Sequence, residues 1–429
     1  MTLVLVVLFG LMLLGIPVAF AILSAGMAYL ATTGGSMLVV AQRLIYGLNS
    51  FTLLAVPLFI LVGNLMDFGG ISKRLTDWAK SILGWLPGGL GIVTVFSCAI
   101  FAALTGSGPA TVAAIGSIML PSMLKAGYSR ETSAGLVASA GALGPIIPPS
   151  IPMIIYGVTM NLSIPAMFMA GVVPGLVIAL ALSLVNVVFA YRNPEVLKHA
   201  KTMKFDFKES MKLFWKALGA LGLPVLILGG IYGGIFTPTE SAAVGIVYAL
   251  ILGFALKELK VKDLPKILIN SLKTSTMVNF IIAAASLFSW VVSKSQIGIV
   301  ISNAFISFVG GSQALYLFVL VVVLLIVGCL MDNVAATLIL APILIPVGIA
   351  LGCNELHIGM LFCICLVVGF VTPPFGYNLF TAVSISGLNF KQIVKGALPF
   401  LLTEILLLFV FAYVLGIITW LPRLMGYGY

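Results

Sequence analysis

The stretch GPIIPPS at residues 144–150 interrupts a long apolar segment, and the stretch GFVTPPFG at 369–376 interrupts a second one in the other half of the chain. A Pro-Pro pair lacks backbone N–H donors and does not continue a helix. Lipid offers no partners for the freed backbone groups, so each break must be buried in protein or line a wet cavity. The two stretches therefore predict two spanning helices, 132–160 and 358–386, that are broken in the middle.

Pro148 and Pro373 are separated along the sequence by a distance that is called the repeat offset below. Other prolines and glycines of the two halves are separated by the same distance. These pairs, which need no gap, include Pro121 with Pro346, Pro174 with Pro399, Gly127 with Gly352 and Gly171 with Gly396. The pattern predicts an internal structural repeat. In secondary transporters, such repeats place substrate and ions near the membrane midplane, where discontinuous helices from both halves meet.

The composition predicts an all-α polytopic membrane protein. Of the 429 residues, 61 % are hydrophobic and 8 % are charged, whereas about a quarter of a soluble domain is charged. The net charge of +10 is not gathered on a soluble, aromatic-bearing face, which argues against nucleic acid as a partner. The five cysteines have no accompanying histidine cluster, so neither a disulfide framework nor a metal site is expected.

The apolar stretches 86–124 and 314–350 predict re-entrant helical hairpins, because their arms are shorter than the about 20 residues of a spanning helix. Each half then crosses the membrane five times, and since five is an odd number the second copy is inverted. With the N-terminus outside, the cytoplasmic connections hold 19 of the 22 Lys and Arg residues, as the positive-inside rule requires. Those connections are 72–80, 125–131, 192–216, 257–273 and 387–396.

Residues 192–216 predict an amphipathic helix that lies in the inner membrane interface. A basic and an apolar residue recur together every four positions, as Met203 and Lys204, Phe207 and Lys208, Met211 and Lys212, and Trp215 and Lys216. A basic stripe beside an apolar stripe suits anionic headgroups, so membrane lipid is an expected partner. A basic connector in the cytosol is the alternative.

The hairpin tips at 105–111 and 330–337, together with the two breaks, form the candidate binding site. Unwound carbonyls and helix C-terminal ends suit Na+, and helix N-terminal amides suit a carboxylate. One tip and one break per half would make two cation sites with an organic anion between them. The residues expected to bind Na+ are Thr105, Gly106, Ser107, Gly144, Ile147, Asp332, Asn333, Gly369 and Thr372. Those expected to bind substrate are Ser107, Gly108, Pro109, Thr111, Pro148, Pro149, Asn333, Thr337, Pro373 and Pro374.

Asp332 is the sole carboxylate at a tip. A charged side chain at the membrane centre costs roughly 2.5 to 3.5 kcal/mol on an insertion scale unless something pairs with it. Bound Na+ would be such a partner. Capping of a half-helix is the alternative role, and it is compatible with ion binding.

Three further carboxylates fall in apolar runs. Asp67 is expected to form a surface ion pair with Lys73 or Arg74, and Glu240 to serve as a helix N-terminal acid after a turn. Glu404 lies inside the last predicted helix without a local partner. Helix packing, contact with another subunit and proton coupling are the three accounts of Glu404 that the sequence leaves open.

Enzymatic functions are disfavoured. The sequence has no Gly-Lys dipeptide and hence no P-loop, and Gly106-Ser107-Gly108 lacks the G-x-S-x-G spacing. Two other classes stay open beside a multi-component transporter. One is a stand-alone carboxylate carrier coupled to Na+ or H+, and the other is a channel.

The tip GSGPAT at 106–111, the break at 144–150, MDN at 331–333 and the break at 369–376 resemble the large membrane subunit of tripartite ATP-independent periplasmic (TRAP) transporters, within the ion-transporter superfamily. The resemblance covers essentially the whole chain. It implies an elevator mechanism that carries an organic acid, such as a C4-dicarboxylate or sialic acid, with Na+ as the coupling ion and no other cofactor. It also implies a bacterial inner membrane location with a periplasmic N-terminus.

The same resemblance implies two protein partners, a small four-helix membrane subunit and a soluble periplasmic substrate-binding protein. It further divides the chain into a fixed scaffold and a mobile transport part. The scaffold would be 1–71 and 217–293, and the transport part would be 72–191 and 294–429. Residues 192–216 would be the linker between the halves.

Overall fold

A computed structural model of the chain describes residues 2–428, and within them it describes the side chains of all but residues 2, 5, 13 and 297–301. Every regular element in this part is a helix. The first ten α-helices are α1 Thr2–Leu13, α2 Val18–Thr33, α3 Leu38–Leu48, α4 Ala55–Phe68, α5 Ile71–Leu83, α6 Gly89–Thr105, α7 Gly108–Lys125, α8 Arg130–Gly141, α9 Ile151–Met160 and α10 Ile164–Tyr191.

The remaining α-helices are α11 Pro194–Thr202, α12 Phe207–Tyr232, α13 Pro238–Ala255, α14 Leu264–Lys294, α15 Ile297–Val309, α16 Gln313–Leu330, α17 Asn333–Ala350, α18 Glu355–Gly369, α19 Tyr377–Ser386, α20 Phe390–Tyr413 and α21 Leu415–Leu424. Short 3₁₀ turns at Phe51–Leu54 and Val261–Asp263 lead into α4 and α14.

Eight helical segments of the described chain are long and apolar enough to cross a membrane. They are Phe51–Phe68, Ile164–Tyr191, Phe207–Tyr232, Pro238–Ala255, Val261–Lys294, Gln313–Leu330, Asn333–Ala350 and Phe390–Tyr413. Large apolar side chains are exposed along them, for example Leu180 at 63 % and Val225 at 71 %. Such surfaces suit lipid rather than water, so the predicted all-α polytopic membrane protein is confirmed.

Helix ends recur at the repeat offset that the prolines follow. α7 and α17 begin at this offset from each other, at Gly108 and Asn333, and they also end at it, at Lys125 and Ala350. The starts of α8 and α18 are related in the same way. Each of the segments 86–124 and 314–350 is a pair of helices joined by a two-residue turn, and each Pro-Pro stretch is a non-helical gap between two helices.

Packing arranges the helices in two groups. In the first group, α14 packs against α2, α3 and α4, and α13 packs against α4 and α12. The second group holds the hairpins and the broken helices, in which α7 packs on α19, α17 on α9, and α20 on α8. These three contacts each join the first half of the chain to the second.

The segment 192–216 does not form the single amphipathic helix that its spacing predicts. α11 ends at Thr202, and α12 begins at Phe207 and continues as a 26-residue helix of spanning length. The Asp206 side chain accounts for the new start, because its Oδ1 accepts the backbone N–H groups of Lys208 at 2.8 Å and Glu209 at 3.2 Å. A favourable N-cap thus divides the segment.

The three isolated carboxylates have different surroundings. Glu240 forms a capping box with Thr237 at the start of α13, as predicted for a helix N-terminal acid. The predicted ion pair of Asp67 is wrong where Arg74 is concerned, because Arg74 pairs with Glu258 at 3.2 Å instead. Glu404 is 1 % exposed in α20, and neither of its carboxylate oxygens has a hydrogen-bond partner among the described residues.

Candidate functional site

A cavity of about 370 Å³ lies between the two hairpin tips and the helices α4 and α14. The first tip contributes Thr105, Gly106, Ser107, Gly108 and Pro109, and the second contributes Asp332, Asn333 and Val334. The opposite wall is formed by Ile60, Gly63, Asn64 and Asp67 of α4 and by Thr274, Met277 and Val278 of α14. The cavity therefore joins both halves of the repeat to the first helix group.

The first tip is built by Gly106 and packs on the first break. Gly106 ends α6 with φ +60°, a left-handed conformation that favours glycine. Gly106 lies so close to the break that an added Cβ would be 2.8 Å from the Pro149 carbonyl oxygen. In the reverse direction, a Cβ on Gly144 of the break would be 2.5 Å from the Ser107 carbonyl oxygen of the tip. Only glycines permit this backbone-to-backbone approach, which gathers several carbonyl oxygens behind the tip.

Hydroxyl groups complete the first tip. Thr111 donates its hydroxyl to the Ser107 carbonyl oxygen at 2.8 Å, and its Oγ1 lies 3.2 Å from the Thr105 Oγ1. Thr111 is fully buried and Thr105 is 7 % exposed. Hydroxyl and carbonyl oxygens in a buried cluster are suitable ligands for a hard monovalent cation.

The second tip is capped by Asp332. Its Oδ1 accepts the backbone N–H of Val334 at 2.8 Å, so the side chain is an N-cap of α17 and also lines the cavity. Close packing again positions the tip, since a Cβ on Gly369 would lie 2.5 Å from the Gly328 Cα. The capping role of Asp332 is thus present, and the same side chain lies at the cavity.

Asn378 connects the first tip to the second break. Its Nδ2 donates to the Ala138 carbonyl oxygen at 3.0 Å, and its backbone N–H donates to the Phe370 carbonyl oxygen at 3.1 Å. A Cβ on Gly108 would lie 2.7 Å from the Asn378 Oδ1. Sequence reasoning missed this residue, although a polar side chain two positions after GFVTPPFG was a usable signal.

Four buried polar atoms around the tips have no hydrogen-bond partner among the described residues. They are Oδ1 and Nδ2 of Asn333, Oγ1 of Thr337 and Oδ1 of Asn378. Asn333 is 2 % exposed, and Thr337 and Asn378 are fully buried. Buried polar groups normally have partners, so this cluster is suited to an occupant with polar atoms of its own.

The predicted site residues fall into two sets. Seven of them line the cavity, namely Thr105, Gly106, Ser107, Gly108, Pro109, Asp332 and Asn333. The others lie outside its lining, namely Thr111, Gly144, Ile147, Pro148, Pro149, Thr337, Gly369, Thr372, Pro373 and Pro374. Gly144, Pro148 and Pro149 are buried behind the first tip, whereas Pro374 is exposed and Thr372 donates its hydroxyl to the Val368 carbonyl oxygen at 3.1 Å.

The wall residues Asn64, Asp67 and Thr274 were not predicted as part of the site. Asn64 is held by Ser271 of α14, whose Oγ accepts its Nδ2–H at 2.8 Å. Asn64 and Asp67 are three positions apart in an apolar helix and so share one face. That pair of polar residues was the signal in the sequence, but no break or glycine motif marks it.

Comparison with known proteins gives a consistent family. The family model described as "Tripartite ATP-independent periplasmic transporter, DctM component" matches residues 5–417. The C4-dicarboxylate TRAP transporter large permease protein DctM of Pseudomonas aeruginosa is 39 % identical over 405 residues, which cover 94 % of each chain. The sialic acid TRAP transporter large permease protein SiaM of Vibrio cholerae is 33 % identical over 422 residues, which cover 98 % of each chain.

Two other matches add a longer relative and a fold. The isethionate TRAP transporter permease protein DctMQ of Oleidesulfovibrio alaskensis is 39 % identical over 408 residues, which are 94 % of this chain but only 63 % of that protein. The crystal structure of the Alcanivorax borkumensis YdaH transporter aligns with a TM-score of 0.60 at 14 % identity, covering 94 % of this chain and 89 % of the other. The second match supports the fold alone.

The helical membrane fold with two hairpin tips at one cavity, together with these matches, identifies the class as a multi-pass transporter permease. Within that class, the chain belongs to the DctM family, the large membrane subunits of TRAP transporters. The resemblance of the tip and break motifs to this family is thereby confirmed.

Proposed function

We propose that the chain is the permease that imports an organic acid together with Na+ across the bacterial inner membrane. The observation that carries this proposal is the cavity in which both hairpin tips face one wall, with the unpaired polar atoms of Asn333 in its lining. Relatives named for C4-dicarboxylates, sialic acid and isethionate support an organic anion as the substrate class.

Na+ would bind in two places, one in each half. At the first tip and break, the oxygens of Thr105, Ser107 and Gly144 would contribute, together with the backbone at Gly106 and Ile147. At the second tip and break, the Na+ ligands would come from Asp332, Asn333, Gly369 and Thr372. Placing Na+ beside Asp332 would offset the cost of a carboxylate at membrane depth.

The organic acid would bind between the tips. α7 and α17 both begin at the cavity, so their N-terminal amides and helix dipoles favour a carboxylate there. Ser107, Thr111, Asn333 and Thr337 supply neutral polar groups, and the glycine and prolines at 108–109, 148–149 and 373–374 shape the backbone. No Lys or Arg is among the residues found to line the cavity, so we infer that a soluble binding protein does most of the substrate selection.

Transport would follow an elevator mechanism with inverted halves. Helices of 1–71 and 217–293 would be the fixed scaffold, and 72–191 and 294–429 would carry the site across it, with 192–216 as the connection. Helix ends that recur at the repeat offset support the repeat. The close approach of α4 to the first tip at Gly63 is compatible with sliding.

The functional assembly would contain two partners, a small four-helix membrane subunit and a soluble periplasmic substrate-binding protein. The N-terminus would be periplasmic, since the positive-inside count places 19 of 22 basic residues on the other side.

Uptake into proteoliposomes tests the whole proposal. The complex with and without the soluble protein is assayed with succinate, sialic acid and isethionate, while the Na+ gradient is varied independently. We expect accumulation of at least one acid only with an inward Na+ gradient and the soluble protein. Accumulation without the soluble protein would indicate a stand-alone carrier, and downhill flux without saturation or Na+ dependence would indicate a channel.

A further inference from the structure

Asp67 is an acid on the wall of the site rather than at its tips. Its side chain is exposed, and it lines the same cavity as both tips. Gly63 lies one helical turn earlier on α4, where an added Cβ would be 3.2 Å from the Thr105 Cα and 3.4 Å from the Leu104 carbonyl oxygen. Residues four apart share a helix face, so the Asp67 carboxylate lies on the face that abuts the first tip.

Two of the basic residues near this part of α4 have other partners. Arg74 pairs with Glu258 at 3.2 Å, and the Lys266 ammonium lies over the Phe68 ring at 5.6 Å from its centroid. The other charged residue that lines the described cavity is Asp332, also an acid. The cavity thus contains two carboxylates and no base within its lining.

The position that corresponds to Asp67 in the second half is not charged. At the repeat offset, Val292 corresponds to Asp67, and Ser289 corresponds to Asn64. Both line a separate cavity of about 500 Å³ between α14 and α17, with Pro342 and Pro346 on its other side. Of two walls related by the repeat, one therefore carries a negative charge and the other does not.

We propose that Asp67 is an electrostatic determinant of the site, which makes the cavity hold Na+ more tightly and an organic anion more weakly while the tips face α4. This inference rests on the proposed Na+-coupled transport of an organic acid. Because Asp67 belongs to the wall, its influence ends when the tips move away, whereas a charge on a tip would act in every state. The end of α4 leads into the basic connection 72–80, so the weakened anion affinity applies to release on the cytoplasmic side.

The expected size follows from Coulomb interaction near a protein surface. If the charges are taken to be roughly 10 Å apart, an effective dielectric constant of about 20 gives a change in binding of about one order of magnitude, and solvent screening reduces this to roughly three- to tenfold. A charge that acts in one conformation alters the rate of release. It does not alter the final accumulation, which the ion gradient sets.

Na+ binding to the purified chain tests the first part. Thermal stability is measured against Na+ concentration, with choline chloride holding the ionic strength constant. We expect Asp67→Asn to raise the half-saturating Na+ concentration roughly three- to tenfold. Asp67→Glu should stay within about twofold, because it retains the charge.

The matched control is Glu209→Gln, which removes an exposed acid of α12 outside this cavity and should leave the Na+ affinity unchanged. An unchanged Na+ affinity in Asp67→Asn would overturn the inference. If the unaltered chain shows no response to Na+ at all, the proposed Na+ coupling itself fails, so the two failures are distinguishable.

Inhibition of uptake by internal carboxylate tests the second part. The acids that are transported in the uptake assay are placed inside the proteoliposomes as inhibitors. The internal acid concentration that inhibits uptake should be roughly three- to tenfold lower for Asp67→Asn than for the unaltered complex. Val292→Asp places the charge on the other wall and should weaken external rather than internal affinity. Equal shifts on both sides of the membrane in Asp67→Asn would contradict a determinant that belongs to one wall.

Discussion

Gly63 of α4 faces Thr105 at the first hairpin tip, and a Cβ on Gly63 would lie 3.2 Å from the Thr105 Cα. The backbones of the wall and the tip thus approach closely at this point, beside the Thr105 side chain. A small residue at such a crossing allows two helices to approach closely and to shift relative to each other.

The first prediction concerns this contact. Gly63→Val adds three carbon atoms against the tip backbone, which has little freedom to yield, and should reduce the uptake rate at least about tenfold if the tip moves past α4. The measurement is initial uptake in proteoliposomes at matched protein content. Gly229→Val in α12 is the control, because nothing lies within 4 Å of a Cβ at Gly229. Equal uptake by both variants would contradict a moving contact at Gly63.

The second prediction concerns the cation sites. Ser107→Ala and Asp332→Asn each remove an oxygen donor or a charge beside the cavity and should raise the Na+ concentration for half-maximal uptake about tenfold or more. Ser117→Ala removes an exposed hydroxyl further along α7 and serves as the control. Normal Na+ dependence in both tip variants would remove the basis for placing Na+ at the tips.

The third prediction concerns Asn378. Asn378→Ala leaves the Ala138 carbonyl oxygen without its buried donor, which costs about 1 to 3 kcal/mol of stability. It also removes the unpaired Oδ1 beside Gly108, so uptake should fall more than the loss of stability explains. Thermal unfolding and uptake are measured together with Asn270→Ala, an exposed position on α14. A stability loss with full uptake would restrict Asn378 to packing.

The fourth prediction concerns Glu404. Because neither carboxylate oxygen has a partner among the described residues, Glu404→Met should raise stability by about 1 kcal/mol or more through removal of an unpaired buried polar group. Glu404→Gln should keep Na+-driven uptake within about twofold, since the neutral amide retains the shape. Loss of uptake in Glu404→Gln, at normal stability, would instead favour the proton-coupling account.

The helix breaks and the tips could be predicted from the sequence because their causes are local. Pro-Pro pairs and glycines at 106, 144 and 369 act on the backbone where they stand, whatever surrounds them. The capping of α13 by Thr237 and Glu240 was likewise a short-range pattern, and the structure contains it.

The cavity wall on α4 and α14, and the contact of Asn378 with the first tip, could not be predicted in this way. Gly108 and Asn378 lie in opposite halves of the sequence, and only the packing of α7 on α19 brings them together. Arg74 similarly pairs with the distant Glu258 rather than with the nearby Asp67. The division of 192–216 at Asp206 had a local cause, but the regular spacing of four masked the N-cap.

The length of α14 has a consequence for how such proteins can change. Thr274 lines the first cavity and Ser289 lines the second, and both belong to one continuous helix. At a rise of about 1.5 Å per residue, the two linings are set about 22 Å apart. A single inserted residue between them would add about 1.5 Å and rotate one lining by about 100° relative to the other. Tolerated insertions in this chain should therefore avoid α14 and collect in the connections outside it.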